Sequence, residues 1–205
     1  MHHLTLWQVN LCAWYVFLIV WGIAALKRKP DKAAEPLAAR LLYGAYFAFG
    51  FALLFSHSVP FNRLYGRFMP RSHWGELAGV VITYLGVALA VWARFVLADN
   101  WSGRITVKVG HELMCSGPYA YVRHPIYSGI LLSVIGTALQ IGEWRGLVAI
   151  AMVTVAFAMK GKREEAYMTT EFGQGYIYYR RSTGFLVPKL SRAVTHIGVE
   201  ALKKQ

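Results

Sequence analysis

The chain has 205 residues, of which 56% fall in the hydrophobic set and only 16% are charged, with a formal net charge of +12. A water-soluble domain of this size carries about a quarter charged residues, so much of this surface is expected to face something other than water. Two cysteines, Cys12 and Cys115, make no disulfide framework, and the basic residues lie between apolar runs rather than in one stripe with interleaved aromatics, which argues against a nucleic-acid partner.

The first apolar run, Leu4 to Leu26, carries no formal charge. As a helix it rises about 34 Å, enough to cross a hydrocarbon core of about 30 Å. It begins MHHLTLW and stops at the basic cluster KRKPDK, so it reads as a retained span rather than a cleaved leader. Pro30 and Pro36 then prevent one continuous helix into the second run, Leu41 to Val59. His57, near the end of that run, reads as an interface-facing side chain. The third run is Leu77 to Ala98, with Arg94 one turn from its end, where a long basic side chain can snorkel to the interface.

Two shorter apolar stretches follow, 126–140 and 146–159, separated by IGEWR. One straight helix through both would bury Glu143 and Arg145 in the bilayer centre, at several kcal/mol. A helical hairpin with both charges at a water interface is therefore predicted. The expected fold is all-α: a polytopic membrane protein with five transmembrane helices, the last two a hairpin, and a cytoplasmic C-terminal helical segment. With the N-terminus outside, seventeen Lys and Arg fall on the cytoplasmic side and four outside, the asymmetry that sets orientation. Residues 1–205 thus read as one membrane domain. It divides into three N-terminal spans (1–98), a polar catalytic region with the hairpin (99–190) and a tail (191–205). For a bacterial source the expected location is the inner, cell membrane.

Chemistry is expected where the polar segments 99–129 and 160–190 meet on the cytoplasmic side. Pro125 reads as a helix-start proline. Arg123 and His124 then precede a helix N-terminus, where an anion would meet free backbone N–H groups as well as a guanidinium. In the second segment Met168, Phe172, Tyr176 and Tyr179 follow helical spacing and give an apolar face. Gly173 and Gly175 weaken that helix. Glu164 and Glu165 are adjacent, and neighbouring helical residues point about 100° apart, so the pair is not expected to serve one ligand from a single face. A surface pairing with Lys160, Lys162 or Arg163 is the alternative reading of these carboxylates. The chain has no dinucleotide-binding glycine motif, P-loop, HExxH or GxSxG. Its histidines, His111 and His124 included, follow no metal-ligand spacing.

The stretch G-x-Y-x-x-x-R-H-P-x-Y-x-G at Gly117 to Gly129, with Glu164-Glu165 and FGxxY at Phe172 to Tyr176, resembles the isoprenylcysteine carboxyl methyltransferase family. Related phospholipid N-methyltransferases share the RHPxYxG and EE elements. The resemblance runs from about Arg94 to Pro188. It implies an S-adenosylmethionine-dependent enzyme acting on a lipophilic or prenylated small-molecule substrate among membrane lipids. It also implies that Tyr119, Arg123, His124, Pro125, Tyr127, Gly129, Glu164 and Glu165 hold the cofactor, with Arg94, Arg123 and Glu165 as the catalytic set. Trp101 and Ser102 match positions that precede the motif. The acceptor stays open between a prenylcysteine carboxylate, a lipid amine and a small thiol. The C-terminal parts of NADPH-dependent membrane sterol reductases resemble the same RHPxYxG region. Arg163-Glu164-Glu165 and the smaller number of spans favour methyl transfer over that reading. A non-catalytic membrane protein, which predicts no adenosine-ligand pocket, is the remaining alternative.

Overall fold

The computed structural model describes residues 5–25, 36–56, 60–97 and 113–189. His57, Trp101, Ser102 and His111 lie outside the described residues. Five α-helices follow one another: α1 (Leu6–Ala25), α2 (Leu37–Phe55), α3 (His73–Leu97), α4 (Pro125–Ile141) and α5 (Trp144–Ser182). Short 3-10 turns at Asn62–Tyr65 and Gly117–Ala120 precede α3 and α4 respectively. Among the described residues there is no β-strand, only two isolated bridges. Each predicted span falls on a helix. Four of the helices are long and apolar enough to cross a membrane, and α4, at 17 residues, is apolar but shorter. The expected fifth span and the expected C-terminal helical segment follow one another along α5, whose 39 residues are two helices joined across a kink. It is interrupted where Gly173 turns to φ 51°, a conformation open to glycine at little cost.

The tightest seam lies between α3 and α4, which run antiparallel. A Cβ on Gly86 would sit 2.5 Å from the Gly129 carbonyl oxygen, and one on Gly136 would sit 2.5 Å from the Thr83 nitrogen. Small residues at a seven-residue spacing on both helices thus bring the two backbones into contact, the usual source of helix association where lipid removes the hydrophobic drive. α1 joins this pair through polar groups. The Asn10 side-chain amide donates to Gln140, and Trp14 Nε1 donates to Thr137 Oγ1 at 3.0 Å. All four are buried, so each polar group finds its partner inside the protein. α2 packs along α5, with Leu53, Leu54, Val153 and Phe157 sharing one apolar core with Trp14.

The hairpin turn occurs where IGEWR predicted it, with Gly142 left-handed at φ 64°. One detail differs from expectation. Arg145 does not face water but is 2% exposed. Its guanidinium pairs with Glu143 at 2.6 Å and donates to the carbonyls of Leu53 (2.8 Å), Leu54 (3.4 Å) and Ser56 (3.2 Å). The end of α2 offers carbonyls that no later turn satisfies, and these draw the arginine inward. Residues 66–68 lace onto the same turn, through Phe68 N to Gly142 O and Trp144 N to Gly66 O, both at 3.1 Å. Residues 66–68 and the hairpin turn therefore close one end of the bundle. Arg123, His124 and the two glutamates gather at the other.

Candidate active site

Three pieces of chain build this end. The first is the 3-10 turn and the residues up to Pro125, which opens α4. The second is the stretch of α5 around Glu164, and the third is the segment that follows α5. That last segment runs back alongside the first: Arg123 N donates to Gly184 O (2.9 Å), Gly184 N to Tyr121 O (3.0 Å) and Ser128 Oγ to Leu186 O (2.6 Å). Phe185 is thereby laid edge-on against the His124 ring, with centroids 4.8 Å apart. The place it occupies exists because residue 161 is glycine. A Cβ there would come within 2.6 Å of the Phe185 ring and 3.3 Å of His124 Nε2.

Within this frame the two sequence motifs meet. Arg123 Nε donates to Glu165 Oε1 at 2.6 Å, while its Nη1 donates to the carbonyls of Arg180 and Thr183. His124 stands between both carboxylates, with Nδ1 3.4 Å from Glu164 Oε2 and Nε2 3.3 Å from Glu165 Oε1. The angular separation of two adjacent helical side chains, which argued against a shared ligand, is met by an imidazole that offers one nitrogen to each. Tyr127 Oη donates to Glu164 Oε1 at 2.6 Å, and Lys160 Nζ lies 3.9 Å from the same oxygen. The rings of His124 and Tyr127 stack at 5.2 Å, and Tyr127 stacks in turn on Phe157 at 4.5 Å.

Burial works to lower the His124 pKa, but hydrogen bonds and charge from Glu164 and Glu165 outweigh it and hold the imidazole above its ordinary value. Tyr119, on the 3-10 turn, is buried, and that burial pushes its hydroxyl pKa up. Its carbonyl accepts the Tyr179 hydroxyl at 2.7 Å. Tyr176 and Tyr179 pack with Leu113 and Cys115, so the apolar face read from Met168 to Tyr179 covers the approach to the 3-10 turn. Arg94 is buried in the last turn of α3, where its charge reaches the Tyr119 hydroxyl.

Of the residues singled out from sequence, Arg123, His124, Tyr127, Glu164 and Glu165 touch one another. Pro125 is buried at the start of α4. Gly129 faces α3: a Cβ there would lie 2.6 Å from both Ala90 N and Gly86 O, so what it contributes is close helix packing. Gly161, Phe185 and Thr183 went unnoticed in the sequence reading. A glycine inside the charged run KGKREE was the one available signal for the first of them.

The geometry can be set beside known proteins. A family model described as phospholipid methyltransferase matches residues 74–175, from the start of α3 to just past the Gly173 kink. Similar curated proteins include a protein-S-isoprenylcysteine O-methyltransferase of Schizosaccharomyces pombe, 34% identical over 38% of this chain and 34% of that protein. Another is protein-S-isoprenylcysteine O-methyltransferase B of Arabidopsis thaliana, 29% identical over 58% of this chain and 62% of the relative. A methanethiol S-methyltransferase of a Pseudomonas species is 26% identical over 58% of this chain and 48% of that protein. The chain therefore spans between about a third and three fifths of the length of these relatives. On these matches, the chain is similar to the phospholipid methyltransferase family over residues 74–175 and, over part of its length, to isoprenylcysteine O-methyltransferases.

Proposed function

We propose that this protein is a membrane-embedded methyltransferase that uses S-adenosylmethionine to methylate a lipophilic acceptor reached from the bilayer. The observation that carries this reading is the meeting of Arg123 and His124 with Glu164 and Glu165, about 40 residues further along the chain, at one end of the apolar helices. The donor set fits the cofactor. An amino-acid moiety needs a carboxylate for its ammonium and a cation for its carboxylate, and Glu164, Glu165, Arg123 and the Pro125 helix start supply both signs. The stacked His124, Tyr127 and Phe157 rings suit an adenine or a cationic centre. When bound, the cofactor supplies a methyl group activated by positively charged sulfur.

The protein's own part is alignment and exclusion of water. Arg123 is fixed by two backbone carbonyls, so its guanidinium has a defined direction before any ligand arrives. Phe185 covers the His124 ring. In this reading Arg123 and Glu165, with Arg94 behind Tyr119, form the catalytic set, and Tyr119, His124, Pro125, Tyr127, Gly129 and Glu164 complete the cofactor site. The Lys and Arg bias supports five spans, with the N-terminus outside and this site cytoplasmic. The isoprenylcysteine relatives make a prenylcysteine carboxylate the first acceptor to test, ahead of a lipid amine or small thiol. Calorimetry on detergent-solubilised protein is expected to detect S-adenosylmethionine, and no binding at millimolar cofactor would sink the reading.

A further inference from the structure

Lys160 takes no part in the site as the two motifs define it, yet it is the charge between that site and the apolar helices. It lies one helical turn before Glu164 on α5, with only 14% of its side chain exposed. Its ammonium stands 5.4 Å from the ring centroid of Tyr127 on α4 and 6.0 Å from that of Tyr43 on α2. Immediately below it on α5, Phe157 meets Phe47 of α2 edge-on at 4.8 Å. A lysine at the end of a span ordinarily extends to water. This one is turned into a corner of tyrosines where three helices meet. Besides its i,i+4 ion pair with Glu164 at 3.9 Å, the ammonium thus faces two tyrosine rings from two other helices. Glu164 divides its two oxygens, one towards Tyr127 and Lys160 and the other towards His124. Lys160 is therefore on the side of Glu164 away from the His124–Arg123 group.

We infer that Lys160 is a specificity-determining residue that positions the acceptor by charge, and that the acceptor is an anion at its reacting atom, a carboxylate or a thiolate. This rests on the methyltransferase reading above. A cation held by aromatic faces in a lipid-shielded corner attracts an arriving anion far more strongly than the same charge would in water. A lipid amine arriving as ammonium would be repelled, and must also lose a proton before it can react. The transfer balances without any proton. A lone pair of the carboxylate oxygen or thiolate sulfur forms the bond to the methyl carbon, and the carbon–sulfur bond of the sulfonium breaks with its pair left on sulfur. One negative and one positive charge cancel, and Lys160 is unchanged. Tyr43 and Phe47 lie on α2, outside the region the family model matches, so the wall facing Lys160 is drawn from the part of the chain free to suit its own acceptor.

The test compares wild type with Lys160→Gln and Lys160→Arg in nanodiscs. Methyl transfer from labelled S-adenosylmethionine is measured to an N-acylated S-prenylcysteine, an alkanethiol and phosphatidylethanolamine, and cofactor affinity is read separately by calorimetry. Lys160→Gln is expected to raise KM for the preferred anion at least tenfold, with kcat and cofactor affinity within about twofold of wild type, and Lys160→Arg to restore KM. The carboxylate and thiol arms tell the two anions apart. An unchanged KM in Lys160→Gln would overturn the inference. So would a cofactor affinity that falls in step with KM, or a wild type that binds cofactor but prefers the lipid amine, and these leave the methyltransferase reading standing. Wild-type protein that binds no cofactor removes both together.

Discussion

Each end of the bundle buries an arginine against a glutamate, and the contact itself is the same, with Nε 2.6 Å from a carboxylate oxygen in both Arg145–Glu143 and Arg123–Glu165. The surroundings differ. Around Arg145 the further partners include backbone carbonyls at the end of α2 and the ring face of Tyr65 at 5.2 Å, and one positive charge meets one negative charge. Around Arg123 a second carboxylate and an imidazole crowd into the same few ångströms. Capping a helix explains the first arrangement completely. Nothing in the packing calls for the second, because placing two carboxylates beside one histidine costs desolvation that a plain apolar contact would avoid. An excess of buried charge over structural need is a mark of a working site.

The comparison is tested most severely at the Arg145 end. Arg145→Met should cost about 3–5 kcal/mol, since it leaves Glu143 without its partner and the α2 carbonyls without a donor. Thermal melts in detergent would show this as the largest loss of stability among the substitutions considered, while the fraction still folded keeps its affinity for S-adenosylmethionine. A variant as stable as wild type would mean that the clasp does not hold α2.

At the Arg123 end the ratio should invert. Glu165→Gln and Arg123→Gln are each expected to weaken S-adenosylmethionine binding at least tenfold, about 1.4 kcal/mol, with a smaller loss of melting temperature than Arg145→Met. Calorimetry beside the melts decides between the two ends. Intact affinity with a large stability loss would make Arg123–Glu165 a second clasp.

The two ends also differ in how far the sequence exposed them. Apolar length located every helix, and Glu143 and Arg145 in the middle of an apolar stretch marked the hairpin, because charge inside a bilayer is costly whatever the fold. Pro125 marked the start of α4 for an equally local reason. Periodicity does not say where a long side chain turns, so Arg145 was expected in water and was found under α2. It was equally blind to His124, whose two nitrogens reach adjacent glutamates only once α4 and α5 are set side by side. The continuity of α5 as far as its kink was hidden because a helix that leaves an apolar region changes composition without changing conformation.

A finer probe of the Arg123 end is Gly161→Ala. The added methyl falls on the outer edge of the Phe185 ring, which can move, rather than on backbone. Stability should change little, whereas displacement of Phe185 from His124 should lower cofactor affinity by about three- to tenfold, roughly 1 kcal/mol. Equal affinity in calorimetry would show that the segment after α5 does not help to order the site.

The smallest expected effect separates the ends by pH, since His124 stands among the charges at the Arg123 end. His124 is held above the ordinary value of about 6.5, so the folded protein binds its proton more tightly than the unfolded chain does. The stabilisation this provides is fully present below about pH 6.5 and is lost as pH rises through the folded-state pKa. Ligand-free protein should therefore melt at progressively lower temperature as pH is raised from 6 to 9, and His124→Gln should flatten the trend. Cofactor affinity should move the other way. A neutral His124 no longer competes for Glu164 and Glu165, and the ammonium of S-adenosylmethionine can take its place, so binding tightens over the pH range in which stability falls. If the two curves instead ran in parallel, His124 would belong to the framework of the site and not to the group that a ligand displaces.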